Sequence, residues 1–257
     1  MLPITVHLSE LGILLAIVLR LSLVLFMLPL FRAAKYPAPI KVATILALAV
    51  VFYPLVAAKV QPLPLLNLGT FAWILCGELI LAGLFAFALQ VLFGAFQLAG
   101  QLIGFQMGIA MAQVMDPSSG HQESIIGAFF NMLVLLVLFA AGGHRLLIKA
   151  VVESFLIIPI GSFRLDTVLY QPVLELSGKL FIVGVKVAAP IIVAILLTQL
   201  GMGLTAKFAP QINVLIAGFP LTLMIGFFFT GVSFLAWGGA IEQCSREVFG
   251  FIFGLLK

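Results

Sequence analysis

The sequence predicts an all-α fold of integral membrane-type helical hairpins, and three observations carry that expectation. Of its 257 residues, 63% are hydrophobic and 9% charged, against about 25% charged in ordinary soluble domains. Mean hydropathy is +1.30, so the apolar runs must face lipid or other protein. Those runs are long and punctuated by proline and glycine, and several reach or exceed the roughly 20 residues that span a bilayer.

The first run, residues 11–31, has spanning length but carries Arg20 at its middle. A basic connector follows, with Arg32, Lys35 and Lys41 around Pro37 and Pro39. The second run, 40–60, contains Pro54 and ends in a linker marked by Pro62 and Pro64. The third begins at Phe71, holds Glu78, stays apolar to about Phe96 and passes without a stop into a Gly/Met-rich stretch. It is too long for one span and is expected as two helical pieces bending near Gly94 or Gly100. Residues 125–141 form the fourth run, closed by Gly142 and Gly143. A short amphipathic piece, 146–158, carries Lys149 and Glu153 and closes at Pro159 and Gly161; its length suits a re-entrant or protein-buried helix. After a polar connector, 164–171, come 174–207, with Lys179, Lys186 and Pro190, and then 212–237. These last two meet at Ala209-Pro210-Gln211 and are expected to form an antiparallel hairpin.

Thirteen Lys and Arg against nine Asp and Glu give a formal charge of +4. They are scattered, with no basic block, which excludes a nucleic-acid footprint. Basic residues in alternate connectors balance three against three, so the positive-inside rule assigns no orientation. Cys76 and Cys244 sit among apolar residues and make no disulfide framework. His7, His121 and His144 lack metal-type spacing, and neither metal nor cofactor is expected. No Lys or Arg precedes the first run and no A-x-A site follows it, so a cleaved signal peptide is not indicated.

Residues 99–120 read AGQLIGFQMGIAMAQVMDPSSG. Gly100, Gly104, Gly108 and Ala112 recur every fourth residue, a small-residue ridge that another backbone can approach closely. Met107, Met111 and Met115 have the same step on a neighbouring face. Gln97, Gln101, Gln106 and Gln113 add amides that are costly against lipid and need partners. Asp116, Pro117 and the following Ser-Ser-Gly stop the helix with turn chemistry, and a polar stretch runs on to Gln122. A close-packing ridge beside a thioether stripe, ending in a polar loop, suits a protein-lined passage that must close.

Arg20, Glu78, Glu153 and Lys186 lie inside apolar runs, where each costs roughly 2.5–3.5 kcal/mol at a helix centre if left unpaired. With no Asp/Glu/His chain to relay protons, pairing within the chain or with neighbouring subunits is the expectation. Arg20 with Glu78 is the preferred pair, and exchanging the two charges is expected to recover assembly that either single change loses.

Three ordered segments, AGQLIGFQMGIAMAQVMDPSSG, GGHRLLIKAVVESFLIIPIG (142–161) and KFAPQINVLIAGFP (207–220), resemble the FliR/SctT family of type III export-gate subunits over essentially the whole chain. The resemblance implies a subunit of a helical hetero-oligomer with FliP and FliQ, in contact with FlhB and FlhA, in the bacterial inner membrane at the flagellar basal body. It implies that the gate stands largely out of the bilayer plane, in keeping with the tied charge count. It divides the chain into a FliP-like part, 1–170, and a FliQ-like helical hairpin, 174–257, turning at Pro210, Gln211 and Asn213. It also implies that the stretch 106–122 plugs the pore passed by unfolded export substrates. The plug residues are then Gln106, Met107, Gly108, Met111, Gln113, Met115, Asp116, Pro117 and His121, with Gly100, Gly104 and Ala112 packing the helix behind them. The MDPSSG loop favours the flagellar branch. Two rivals fare worse. A secondary transporter should show two related halves with a midplane polar site, and none is visible. An enzyme needs a convergent catalytic set; Ser118, Ser119 and His121 lack an orienting third partner.

Overall fold

The computed structural model describes residues 8–26, 37–57, 68–109, 125–163, 167–208 and 214–256. Among them stand seven α-helices and no strand. These are α1 (Leu8–Phe26), α2 (Ala38–Ala57), α3 (Leu68–Gln106), α4 (Ile125–Ala140), α5 (Gly143–Ile157), α6 (Tyr170–Phe208) and α7 (Val214–Gly254), with a 3₁₀ turn at Thr167–Leu169 before α6. Four of them (α2, α3, α6 and α7) are long and apolar enough to cross a membrane, and five spans result if α4 with α5 counts as one broken span.

Element boundaries follow local chemistry. α2 starts where Pro37 and Pro39 meet, the Ile40 and Lys41 amides donating to the Pro37 carbonyl; proline in a first turn forfeits no helical hydrogen bond. Between α4 and α5 the backbone turns at Gly142, whose φ is 75°, a left-handed conformation that glycine adopts without steric cost. α7 continues to Gly254 instead of stopping near Trp237. The reason is an unbroken buried stripe, Trp237, Ile241, Cys244, Val248 and Ile252, at helical spacing, which carries the helix through Gly238 and Gly239.

The expected break in the third run does not occur: α3 is one helix of 39 residues. Gly94 and Gly100 lower its propensity by roughly 1 kcal/mol each relative to alanine, but the close packing that Gly100 permits offsets this.

The chain packs as two compact units. The first comprises Met1–Gln90, Gly142–Leu176 and Glu247–Lys257. In it α1 packs on α2, and α2 also touches α5. α2 buries Ile45, Ala49, Phe52 and Val56, one face at three- and four-residue steps. The second comprises Val91–Ala141 and Ser177–Arg246 and holds the glycine-bearing C-terminal end of α3, with Met107 just beyond it.

Candidate functional site

The C-terminal end of α3 is the first place of interest. Gly100 meets α4 so closely that a Cβ there would lie 2.6 Å from the Gly127 Cα, so two glycines let the backbones touch. Gly104 is also buried. On another face, Gly184 of α6 sits where a Cβ would be 2.9 Å from the Ala95 carbonyl oxygen and from a Leu98 methyl. The end of α3 is thus held on two sides by contacts that only glycine allows.

Beyond Gln106 the Gly108 amide donates to the Phe105 carbonyl at 3.0 Å, and Gly108 takes φ 82°, the left-handed glycine that commonly ends a helix. A Cβ on Gly108 would lie 3.3 Å from the Phe219 ring. Gln106 Nε2 donates to Gln199 Oε1 of α6 at 3.1 Å, giving the amide the partner it requires. Gln101 remains exposed and Gln97 half-buried. Met107 is 1% exposed and fills a notch over Gly226 of α7. A Cβ at 226 would be 2.7 Å from Cε and Cγ of that methionine. Nearby, a cleft of about 520 Å³ opens between Ile109, Ile126, Phe129, Phe227 and Phe234, with Thr230 on its wall. The Thr230 hydroxyl already donates to the Gly226 carbonyl at 2.7 Å, so the cleft offers apolar surface only.

The second place is a polar node in the first unit. Arg20 and Glu78 are both buried. Arg20 Nε donates to Glu78 Oε2 at 2.7 Å, with Nη2 2.6 Å from the same oxygen. Nη1 donates to Ser154 Oγ at 3.1 Å, and that hydroxyl donates onward to the Val151 carbonyl. The guanidinium stacks 4.1 Å over the Phe155 ring, a cation–π contact strengthened by desolvation. Glu78 Oε1 accepts the Gly161 amide at 3.3 Å. One ion pair thereby ties α1, α3, α5 and the turn after α5; Nε and Nη1 are hydrogen-bonded, whereas the buried Nη2 lies beside Oε2 without making a hydrogen bond of its own. The other two charges behave differently. Glu153 is half-buried, 3.6 Å from Lys149 one turn away, and Lys186 is exposed on this chain.

The sequence matches the family of bacterial export proteins, family 1, over residues 11–248. The chain belongs to that family. Among its relatives, the flagellar biosynthetic protein FliR of Pectobacterium carotovorum subsp. carotovorum is 30% identical over 184 residues, covering 72% of this chain and 70% of its own. FliR of Escherichia coli strain K12 is 28% identical over 209 residues, 81% of this chain and 78% of its own. FliR of Bacillus subtilis strain 168 is 28% identical over 218 residues, 83% and 82% respectively. Membership makes the chain a component of a multi-subunit export apparatus and not an enzyme.

In this export protein, Met111, Ala112, Gln113, Met115, Asp116, Pro117 and His121 lie outside the described residues, as do Pro210, Gln211 and Asn213 at the expected hairpin turn. Sequence reasoning singled out Glu153 and passed over its neighbour Ser154, which is the residue that meets Arg20. It also passed over Gly226. A signal for Gly226 was present: Gly218, Thr222, Gly226 and Thr230 recur every fourth residue, a second small-residue ridge like that on α3.

Proposed function

We propose that this chain is the FliR-type subunit of the flagellar protein export gate, in the bacterial inner membrane at the basal body. There it joins FliP and FliQ and meets FlhB and FlhA. Residues 1–170 act as the FliP-like part and 174–257 as the FliQ-like hairpin. Unfolded flagellar proteins pass a lumen that this chain helps to line, and residues 106–122 obstruct that lumen while the gate is idle.

The observation that carries this reading is the family match over residues 11–248, with FliR relatives aligned along most of their own length. Helix length supports it. α3 and α6 have 39 residues and α7 has 41, roughly 58–62 Å at 1.5 Å per residue. That is about twice the hydrocarbon thickness of a bilayer, so lipid alone does not cover such helices. Methionine suits a seal because its unbranched, polarisable side chain adapts to passing chains of different shape.

The test is conductance across membranes holding the assembled gate. Deleting residues 108–115, or replacing Met107, Met111 and Met115 together by alanine, should make the closed gate leak small ions. An unchanged leak overturns the obstruction.

A further inference from the structure

We propose that the seating of Met107 in the Gly226 notch is the anchor for the base of the obstructing stretch, so that a glycine on α7 sets how tightly the gate closes. The inference rests on reading residues 106–122 as the obstruction.

Three contacts fasten the end of α3 just before the chain runs on to Met111 and Met115. The Gln106–Gln199 hydrogen bond is exposed, where water competes for both amides. Gly108 lies where a Cβ would come within 3.3 Å of the Phe219 ring, but it has no side chain of its own to bury there. Only Met107 withdraws a whole side chain from solvent, at 1% exposure.

The notch exists because residue 226 is glycine. Positive φ occurs, among the described residues, at Gly108, Gly142 and Gly161, so backbone conformation does not call for glycine at 226. Space does. A Cβ there would meet Cε and Cγ at 2.7 Å and Sδ at 2.8 Å, so the methionine cannot evade it by moving its tip alone. α7 repeats the device eight residues earlier, where Met202 of α6 lies over Gly218, more loosely at 3.3 Å. The tighter of the two notches stands at the end of α3.

Two measurements on the assembled gate test this. In a background with Cys76 and Cys244 replaced by serine, the pair Met107→Cys and Gly226→Cys should form a disulfide on mild oxidation. A Cβ at 226 lies 2.7 Å from Met107 Cγ, and with a carbon–carbon bond of about 1.5 Å the two Cβ atoms are at most about 4.2 Å apart, within disulfide reach. Oxidation should abolish maleimide labelling at both positions; persistent labelling overturns the contact. Gly226→Leu should raise the resting ion leak toward that of the 108–115 deletion. Adding Met107→Gly, which moves the bulky side chain to the opposite helix, should bring the leak back near the wild-type level. If the deletion leaks and Gly226→Leu does not, or if the transposed pair leaks as much as Gly226→Leu alone, the anchor is overturned while the obstruction stands. If the deletion itself does not leak, the obstruction fails and takes the anchor with it, whatever the disulfide reports.

Discussion

At the scale of single residues, the Arg20–Glu78 pair shows how much a neighbourhood adds to a contact. The two residues lie 58 positions apart, and the cost of each charge in an apolar run was reason enough to pair them. The rest of the node could not be read that way. Ser154, Phe155 and the Gly161 amide are ordinary residues until a guanidinium and a carboxylate arrive beside them. That neighbourhood changes the outcome expected of a charge exchange. Arg20→Met alone strands a buried carboxylate and should cost roughly 3–5 kcal/mol. Arg20→Met with Glu78→Met removes both charges and should restore most of the stability, since apolar replacements of buried pairs are often neutral or better. Arg20→Glu with Glu78→Arg should restore less, because the carboxylate would face the Phe155 ring and the guanidinium would meet the Gly161 N–H, a donor. Thermal unfolding of the detergent-purified protein ranks the three variants. An exchange as stable as wild type would show that the surroundings contribute little.

At the scale of helices, glycine was the most legible signal and also the most misleading one. Of the ridge expected at Gly100, Gly104, Gly108 and Ala112, Gly100 does approach Gly127 closely, whereas Gly108 lies past the end of α3 in a left-handed turn and Ala112 is outside the described residues. The same glycines suggested a bend, and α3 does not break. Spacing tells that a backbone can come near, but not whether a partner does; that depends on Gly127, in a run read independently. The two roles of glycine predict opposite effects of adding one methyl group. At Gly83, inside α3 with nothing within 4 Å of a new Cβ, alanine should stabilise by up to about 1 kcal/mol through helix propensity. At Gly100 the same change drives a Cβ into the Gly127 backbone and should destabilise by roughly 1–3 kcal/mol, the usual range for overpacking. Unfolding midpoints of the two variants should therefore move in opposite directions; a shared direction would mean that α3 and α4 can separate freely.

At the scale of the whole chain, composition announced that apolar surface must be covered, but could not say by what. α6 decides between the two covers. It presents Phe181, Val185, Val193, Leu197, Leu200 and Leu204 as exposed apolar residues, with the exposed Lys186 among them. Phe181 and Leu204 are 23 positions apart on this continuous helix, about 35 Å at 1.5 Å per residue. The hydrocarbon core is about 30 Å thick, so lipid cannot shield both at full depth. If lipid were the only cover, a carboxylate would be tolerated near the interface at one end or the other, because insertion cost falls steeply away from the bilayer centre. If partner helices cover the face along its length, Phe181→Glu and Leu204→Glu each bury an unpaired charge and should both abolish co-purification with small hydrophobic partner proteins. A co-purification assay on the two variants separates these cases. Loss at both ends is the expected result, and survival of the complex at either end would leave that end of α6 to lipid or water and remove the case for protein cover along the whole helix.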